Sequence, residues 1–287
     1  MTGRVVKGIG GFYYVYDGVN TYMGKARGNL KRNRDLIYVG DIVDYELDDN
    51  GECIINKVSE RHNYLTRPPV SNLGMLVVVF AAAEPEPNFP VIDKLIAACE
   101  AKDIDVVVCI TKTDLAGEDV ASGYVSHYSG VYPTAIVNGI SGAGISELAD
   151  LIKGRNVALA GPSGVGKSTI TNLLTGSDTA ETGRTSDKTR RGRHTTRHVE
   201  IFDLGDGTFL YDTPGFTSLD LAGIEASEVG NLFPEIRNRQ AECRYSDCMH
   251  INEPDCAIKS AVESGAIHPA RYNSYLTIID EVKKWHR

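Results

Sequence analysis

The sequence has no long apolar run and no excess of positive charge, and each absence excludes a class of protein. No stretch approaches the ~20 apolar residues of a membrane-spanning helix, and the opening MTGRVVKGIGGFYYVYDG has no apolar core of a signal peptide. With 30 Lys and Arg against 38 Asp and Glu, the net charge is -8, which argues against a surface coated throughout by nucleic acid. A cytoplasmic protein with at most a local basic patch is expected.

Cysteine is also scarce, with six in 287 residues. In a reducing compartment, clustered cysteines favour a metal over disulfides. Three of them lie close to one histidine. Together these residues provide four soft ligands within fourteen residues, namely Cys243, Cys248, His250 and Cys256. Three thiolates and an imidazole would saturate a tetrahedral Zn²⁺, so one structural zinc per chain is predicted. The alternative is a set of free buried cysteines beside an unrelated histidine.

Residues 1–64 carry five short strand-like runs separated by Gly, Asn and Asp, namely RVVKGI, FYYVYD, TYMGKA, IVDYELD and CIINKVS. Five strands in this length predict a small barrel, of which the OB-fold is one type. That fold often binds RNA, and Lys25, Arg27 and the basic residues after them are candidates for backbone contacts. The alternative is that these charges are merely solvated. LTRPPVSN, residues 65–72, is expected to be a linker because consecutive prolines cannot continue a central strand.

Residues 65–220 alternate apolar runs with amphipathic stretches such as PVIDKLIAACEAKD. The apolar runs are MLVVVF, DVVVCI, TAIVN and NVALAG. This alternation predicts parallel strands buried on both faces, in a doubly wound α/β sheet. HVEIFDL and GTFLYDTPG are expected to form a strand pair joined by a hairpin. Residues 221–287 hold the cysteine cluster and a closing helix-like stretch, and are expected to form a small zinc-binding domain with helices.

A phosphate-binding loop is predicted after NVALA, since GPSGVGKS matches G-x-x-x-x-G-K-[ST] between a strand and a helix. Its glycines let backbone N–H groups approach phosphates. Lys167 would place a cation against the β- and γ-phosphates, and Ser168 can bind Mg²⁺. The residues expected to contact the nucleotide are Gly161, Pro162, Ser163, Gly164, Val165, Gly166, Lys167, Ser168 and Thr169.

A second phosphate element, DTPG, begins at Asp212 at the end of another apolar strand. Asp212 can hold Mg²⁺ through a water, and Gly215 can offer its N–H to the γ-phosphate. Alone, the tetrapeptide would be an ordinary turn. The preceding RHTTRH offers a threonine to the same ion, either Thr195 or Thr196, with Thr196 preferred. The basic stretch around it, residues 182–198, could contact RNA phosphates or form a solvated loop.

The base is predicted from TKTD, the four residues Thr111, Lys112, Thr113 and Asp114. Guanine presents two donors on one edge, which a single carboxylate can accept together, and adenine lacks that pair. Asp114 therefore indicates guanine. GTPases usually have Asn where this chain has Thr111, whose shorter side chain must do less. They usually have Ser-Ala where it has Asn138 and Gly139, which leaves a backbone N–H contact to the base possible.

These elements occur in an unusual order, because the base motif precedes the phosphate loop, the threonines and DTPG. A standard G domain cut at another point of the same circle would have this order, and the ends of compact domains often lie close enough to permit it. The chain thus resembles the circularly permuted GTPases, among them the family of ribosome small-subunit-dependent GTPase A. The resemblance covers essentially the whole chain. It implies a monomeric GTP-hydrolysing factor that acts late in assembly of the bacterial small ribosomal subunit and binds its rRNA.

Two other functions are open on the residues alone. One is a different P-loop enzyme, an ATPase or a kinase, against which Asp114 argues. The other is an RNA-binding scaffold that holds nucleotide inertly, against which the complete set of Lys167, Ser168 and Asp212 argues.

The residue that orients the attacking water is not evident from the sequence. Ras-like enzymes place a Gln after DxxG, whereas this chain has Phe216, which cannot hydrogen-bond to water. Slow hydrolysis by the free protein is therefore expected. His194, beside the threonines, is the candidate to position or deprotonate water, with packing or RNA contact as the alternative.

Overall fold

The computed structural model describes residues 1–28, 30, 36–176, 199–213, 216, 219 and 221–285. Its first five strands close into the expected OB-like barrel: β1 (Thr2–Ile9), β2 (Phe12–Tyr16), β3 (Thr21–Ala26), β4 (Ile42–Leu47) and β5 (Cys53–Val58). Neighbours pair in the order β1-β2-β3-β5-β4, and β4 returns to β1. Alternate residues such as Val43 and Tyr45 point inward and are buried, which is the period-two pattern of a half-buried strand.

The proline-containing segment that follows the barrel is more ordered than a plain linker. β6 (Tyr64–Thr66) and β7 (Pro69–Ser71) form a separate two-stranded antiparallel sheet. The segment expected to be a linker therefore contains two short strands of its own, and its prolines lie outside the eleven-stranded sheet. Pro69 is tolerated because proline has no backbone N–H to donate, and the first residue of a strand is a position where that missing donor is accepted.

The predicted parallel sheet is confirmed, with its strands in the order β10-β9-β8-β11-β13. The first four in chain order are β8 (Met75–Ala81), β9 (Asp105–Thr111), β10 (Thr134–Val137) and β11 (Asn156–Ala160). Helices connect them: α1 (Phe89–Glu100), α2 (Thr113–Ala116), α3 (Glu118–Tyr128), α4 (Ile145–Ile152) and α5 (Lys167–Thr175). β8 is buried along its whole length, and its alternate residues enter the hydrophobic clusters on opposite faces of the sheet.

A hairpin joins the barrel to this sheet. It consists of β12 (Glu200–Asp203) and β13 (Phe209–Asp212), as predicted. β13 runs parallel to β11, and β12 pairs antiparallel with β1 of the barrel, with Lys7 opposite Glu200. The barrel and the α/β layer therefore share one continuous hydrogen-bonded sheet of eleven strands among the described residues.

The C-terminal residues pack on the face of the sheet that carries α1. They form 3₁₀ turns at Ala226–Leu232 and Gln240–Glu242, and the helices α6 (Pro234–Arg237), α7 (Ala257–Glu263) and α8 (Pro269–Trp285). Apolar residues of these elements, such as Ile236 and Ile279, belong to the same buried cluster as Phe80 of β8. Within the described residues, no helix combines the length and hydrophobicity that crossing a bilayer requires.

Candidate nucleotide site and metal centre

The phosphate loop lies between β11 and α5, at the carboxyl edge of the parallel sheet. Two of its glycines are required by the backbone. Gly161 has φ 146°, and a Cβ there would lie 2.0 Å from the Val79 carbonyl oxygen. Gly166, directly before α5, has φ 96°. The loop can therefore pass close to β8 and turn its backbone toward the first turn of α5, where N–H groups have no partner within the helix.

Lys167 places its ammonium group inside this loop. It donates to the carbonyl oxygens of Gly161 and Pro162, each at 2.7 Å. Burial lowers the pKa of Lys167, because a desolvated ammonium loses hydration energy. A cation held in such surroundings attracts a phosphate more strongly than one in open water, since the effective dielectric constant is lower.

The base motif reaches the phosphate loop through Thr111, the last residue of β9. Its buried hydroxyl donates to the Val165 carbonyl oxygen at 2.6 Å, and it lies 3.2 Å from the carbonyl oxygen of Phe80. A Cβ on Gly166 would also lie 4.0 Å from Thr111. The short side chain that replaces the usual Asn thus contacts the phosphate loop directly.

The rest of TKTD turns outward from this contact. Lys112 has a left-handed backbone with φ 54°, and its ammonium group donates to the carbonyl oxygen of Glu84. Thr113 begins α2, and Asp114 lies exposed in its first turn. A carboxylate in that position is free to accept hydrogen bonds from a ligand.

The loop after β10 approaches the same crevice. The Asn138 side-chain oxygen accepts hydrogen bonds from the N–H groups of Ile140 at 2.9 Å and Ser141 at 3.0 Å, which holds the loop in a tight turn. A Cβ on Gly139 would lie 3.0 Å from the Thr169 methyl carbon of α5, so the loop sits against the start of that helix. Parallel strands end at one edge of a sheet, and ligands of open α/β sheets bind there.

Asp212 ends β13 and is half-buried. Burial raises its pKa, and the nearby Glu200 carboxylate acts in the same direction. The next described residues return to the phosphate loop, because the Phe216 carbonyl accepts a hydrogen bond from the Gly161 N–H at 3.2 Å. The Phe216 side chain is buried in the core. Gly215, His194, Thr195 and Thr196 lie outside the described residues.

The four predicted metal ligands converge in the C-terminal region. Their ligand atoms all lie within 4.8 Å of one another, so the Cys₃His group could hold a metal ion. The His250 Nδ1 atom lies 3.5 Å from the sulfurs of Cys243 and Cys256, and these two sulfurs are 3.9 Å apart. Tetrahedral zinc with Zn–S of about 2.3 Å and Zn–N of about 2.0–2.1 Å needs separations of about 3.6 Å for S···N and about 3.8 Å for S···S, so the donor set fits zinc.

Neighbouring groups hold the metal-ligand loop in shape. The Glu253 carboxylate accepts hydrogen bonds from the N–H groups of Met249, Ile251 and Asn252. From α8, the Tyr272 hydroxyl donates to the His250 carbonyl oxygen at 2.6 Å, and the Tyr275 hydroxyl donates to that of Met249 at 2.8 Å. Burial lowers the pKa of His250, which favours the neutral imidazole that binds metals.

Comparisons with known proteins agree with this geometry. The RsgA GTPase model matches residues 58–222, and the RsgA N-terminal domain model matches residues 2–55. The chain belongs to the RsgA GTPase family. It is 41% identical to the small ribosomal subunit biogenesis GTPase RsgA of Clostridium acetobutylicum, covering 98% of both chains. It is 40% identical to the protein of that name in Caldanaerobacter subterraneus, covering 98% of this chain and 96% of the relative.

Two solved structures of similar proteins have the same architecture. YjeQ from Thermotoga maritima superposes with a TM-score of 0.83 at 33% identity, with 98% of each chain covered. YloQ, described as a circularly permuted GTPase, superposes with a TM-score of 0.79 at 31% identity, over 99% of this chain and 95% of that one. The expected permuted GTPase fold is confirmed.

Three tertiary features of this RsgA-family chain were not predicted from its sequence. They are the contact of Thr111 with Val165, the pairing of Lys7 with Glu200, and an ion-pair network around the buried Arg271. Each joins residues at least 36 positions apart, so no local motif marks it. A buried arginine in the amphipathic stretch RYNSYLTIID could have been suspected, because its position falls among apolar residues at helical spacing.

Proposed function

We propose that this chain binds GTP with Mg²⁺, hydrolyses it, and acts in maturation of the small ribosomal subunit, as the names of its relatives state for them. The observation that carries the proposal is the hydrogen bond from Thr111 to Val165, because it joins the guanine motif to the phosphate loop in one crevice. The same proposal includes binding of the subunit's rRNA by the monomeric protein in the cytoplasm.

Each residue of the crevice has a proposed role. Asp114 accepts the two donors of guanine, with Lys112 and Thr113 beside it, and the backbone at Asn138 and Gly139 meets the base. Residues 161–169 hold the phosphates, with Lys167 as the cation, while Gly215 donates to the γ-phosphate. Mg²⁺, when bound with the nucleotide, neutralises developing charge on the transferred group. Ser168, Thr196 and Asp212 would hold it, Asp212 through a water.

The base is tested by Asp114→Asn. Loss of hydrogen bonds to a charged group costs about 1.5–3 kcal/mol, so we expect GDP affinity to fall about ten- to a hundredfold. Xanthine carries a keto acceptor where guanine has an amino donor, and the Asn amide can donate to it, so XDP affinity should rise. Titration of each nucleotide by calorimetry measures both.

Asp119→Asn is the matched control, because Asp119 is also exposed and near this crevice in sequence, within α3. It should leave the GDP and XDP affinities unchanged. If Asp114→Asn binds GDP as tightly as the parent, Asp114 does not read the base. Competition by ADP as strong as that by GDP would support an ATPase or a kinase instead.

Hydrolysis is expected to depend on the small subunit. The buried Phe216 side chain cannot orient water, so the free protein should release phosphate slowly and purified small subunits should accelerate it.

We propose His194 as the group that positions or deprotonates water, so His194→Ala should lose most of the stimulation while nucleotide and subunit affinities stay near those of the parent. Full stimulation of this variant would remove His194 from the mechanism. Absence of any phosphate release, with or without subunits, would support a nucleotide-holding scaffold.

Nucleotide state should also control the affinity for small subunits. Asp212 and DTPG lead directly into the C-terminal residues, so an element ordered by the γ-phosphate is covalently next to the proposed zinc domain. Subunit binding is expected to be tighter with a non-hydrolysable GTP analogue than with GDP, as co-sedimentation would measure. Equal affinity in both states would contradict this coupling.

A further inference from the structure

Three charged residues form a row across three neighbouring strands. Lys7 on β1 lies opposite Glu200 on β12, and Glu200 lies opposite Asp212 on β13. Residues that face each other in antiparallel pairs project from the same face of the sheet, with Cβ atoms about 4.5–5.5 Å apart. The row therefore starts in the barrel and ends at the residue proposed to hold Mg²⁺.

The first two members of the row are joined by an ion pair. The Lys7 ammonium lies 2.9 Å from a Glu200 carboxylate oxygen, with side chains 28% and 41% exposed. Glu200 thus has a cation on one side and the Asp212 carboxylate on the other. Without Lys7, two carboxylates would face each other where the phosphates of the nucleotide are proposed to bind. Partial exposure screens this charge but does not remove it.

We propose that Lys7 is a positioning residue for the triphosphate state: by neutralising Glu200, it preserves binding of a nucleoside triphosphate beside Asp212. This inference rests on the proposed function. An uncompensated carboxylate beside Asp212 repels GTP more than GDP, because the γ-phosphate adds negative charge and lies nearest to DTPG. Since Lys7 belongs to β1, displacement of the barrel strand from the hairpin would shift the preference of the site toward GDP.

The experiment compares affinities for GDP and a non-hydrolysable GTP analogue at fixed Mg²⁺ concentration. In Lys7→Met, we expect the analogue-over-GDP preference to fall about two- to fivefold, the range of a partly exposed ion pair. The loss should shrink as salt concentration rises. Lys7→Arg, which keeps the charge, should retain the preference of the parent.

A matched control removes a lysine that forms an ion pair with the other end of the same hairpin. Lys153, which follows α4, forms an ion pair of 2.9 Å with Asp206. Asp206 lies in the turn between β12 and β13, and both side chains are exposed. Lys153→Met changes the net charge by the same amount, yet it should leave the preference unchanged, because the turn lies at the far end of β13 from Asp212.

The double variant Lys7→Met with Glu200→Gln distinguishes an electrostatic effect of Lys7 from a purely structural one. It lacks the ion pair but has no uncompensated carboxylate, so we expect the preference for the GTP analogue over GDP to return. A double variant as defective as Lys7→Met would mean that the pair only braces the barrel, and would overturn the inference. An unchanged preference in Lys7→Met would overturn it as well. A parent protein that binds no guanine nucleotide would overturn the proposed function and this inference together. A parent that binds both nucleotides, with either of the two outcomes above, would overturn this inference alone.

Discussion

The Cys248→Ser variant is expected to purify without zinc and with its metal-ligand loop, residues 243–256, unfolded. The loop has few apolar residues, and structural zinc contributes about 10–16 kcal/mol of apparent binding free energy in finger peptides, so a missing ligand removes most of what orders it. Desolvation raises the pKa of the Cys248 thiol to about 12, so this thiol stays protonated unless a cation is bound. Metal analysis and amide hydrogen exchange of the loop measure the two effects.

Cys53→Ala is the control for this experiment. Cys53 is a buried thiol of the barrel and lies far from the cluster in the chain, so its loss should leave one zinc per chain. Parent protein that is purified without chelator and contains no zinc would contradict the proposed centre. Zinc retained at full stoichiometry in Cys248→Ser would remove that cysteine from the ligand set.

The Arg271→Met variant is expected to lose about 3–5 kcal/mol of stability in the contact between the C-terminal residues and the α/β layer. Arg271 is 2% exposed and donates at 2.7 Å to Asp93 of α1 and at 2.7 Å to Glu235 of α6. Burial disfavours its charge, but the two carboxylates outweigh that effect and hold the pKa of Arg271 well above its ordinary value. Removing the guanidinium leaves both carboxylates buried without a cation.

The stability loss of Arg271→Met should be smaller at acidic pH. Burial raises the pKa of Asp93 even with Arg271 present, and without that cation the rise becomes larger. A group whose pKa is higher in the folded state contributes its stability below its unfolded pKa and loses it as pH rises through the folded value. The deficit of Arg271→Met, measured by hydrogen exchange of α8, should therefore decrease as pH falls.

Arg237→Met is the matched control for the buried pair. Arg237 belongs to α6, as Glu235 does, but its ion pair with Glu100 lies partly exposed at the surface, with a separation of 3.1 Å. Such pairs contribute about 0–1 kcal/mol, so this variant should behave nearly as the parent. Equal losses in the two arginine variants would contradict the special role of the buried network.

The sequence by itself determined the motifs and their order. A phosphate loop, a guanine motif and a four-ligand metal cluster are each contiguous, so their backbone geometry is set within a few residues by glycines, strand ends and ligand spacing. The strand and helix pattern was equally readable, because β8 and its neighbours are nearly continuous apolar runs, whereas the stretches between them are amphipathic. Gly161 shows how direct this can be, since its backbone conformation and its approach to β8 both require glycine.

Only the tertiary structure decided how these pieces meet. The hydroxyl of Thr111 lies within 2.6 Å of the Val165 carbonyl oxygen only because β9 and the loop after β11 meet in the folded sheet. The row from Lys7 through Glu200 to Asp212 depends on a barrel strand pairing with a hairpin 193 residues away. Such pairings depend on sheet register and on the packing of whole layers. No local spacing encodes them, which is why the sequence predicted the residues of the candidate site but not the contacts that support them.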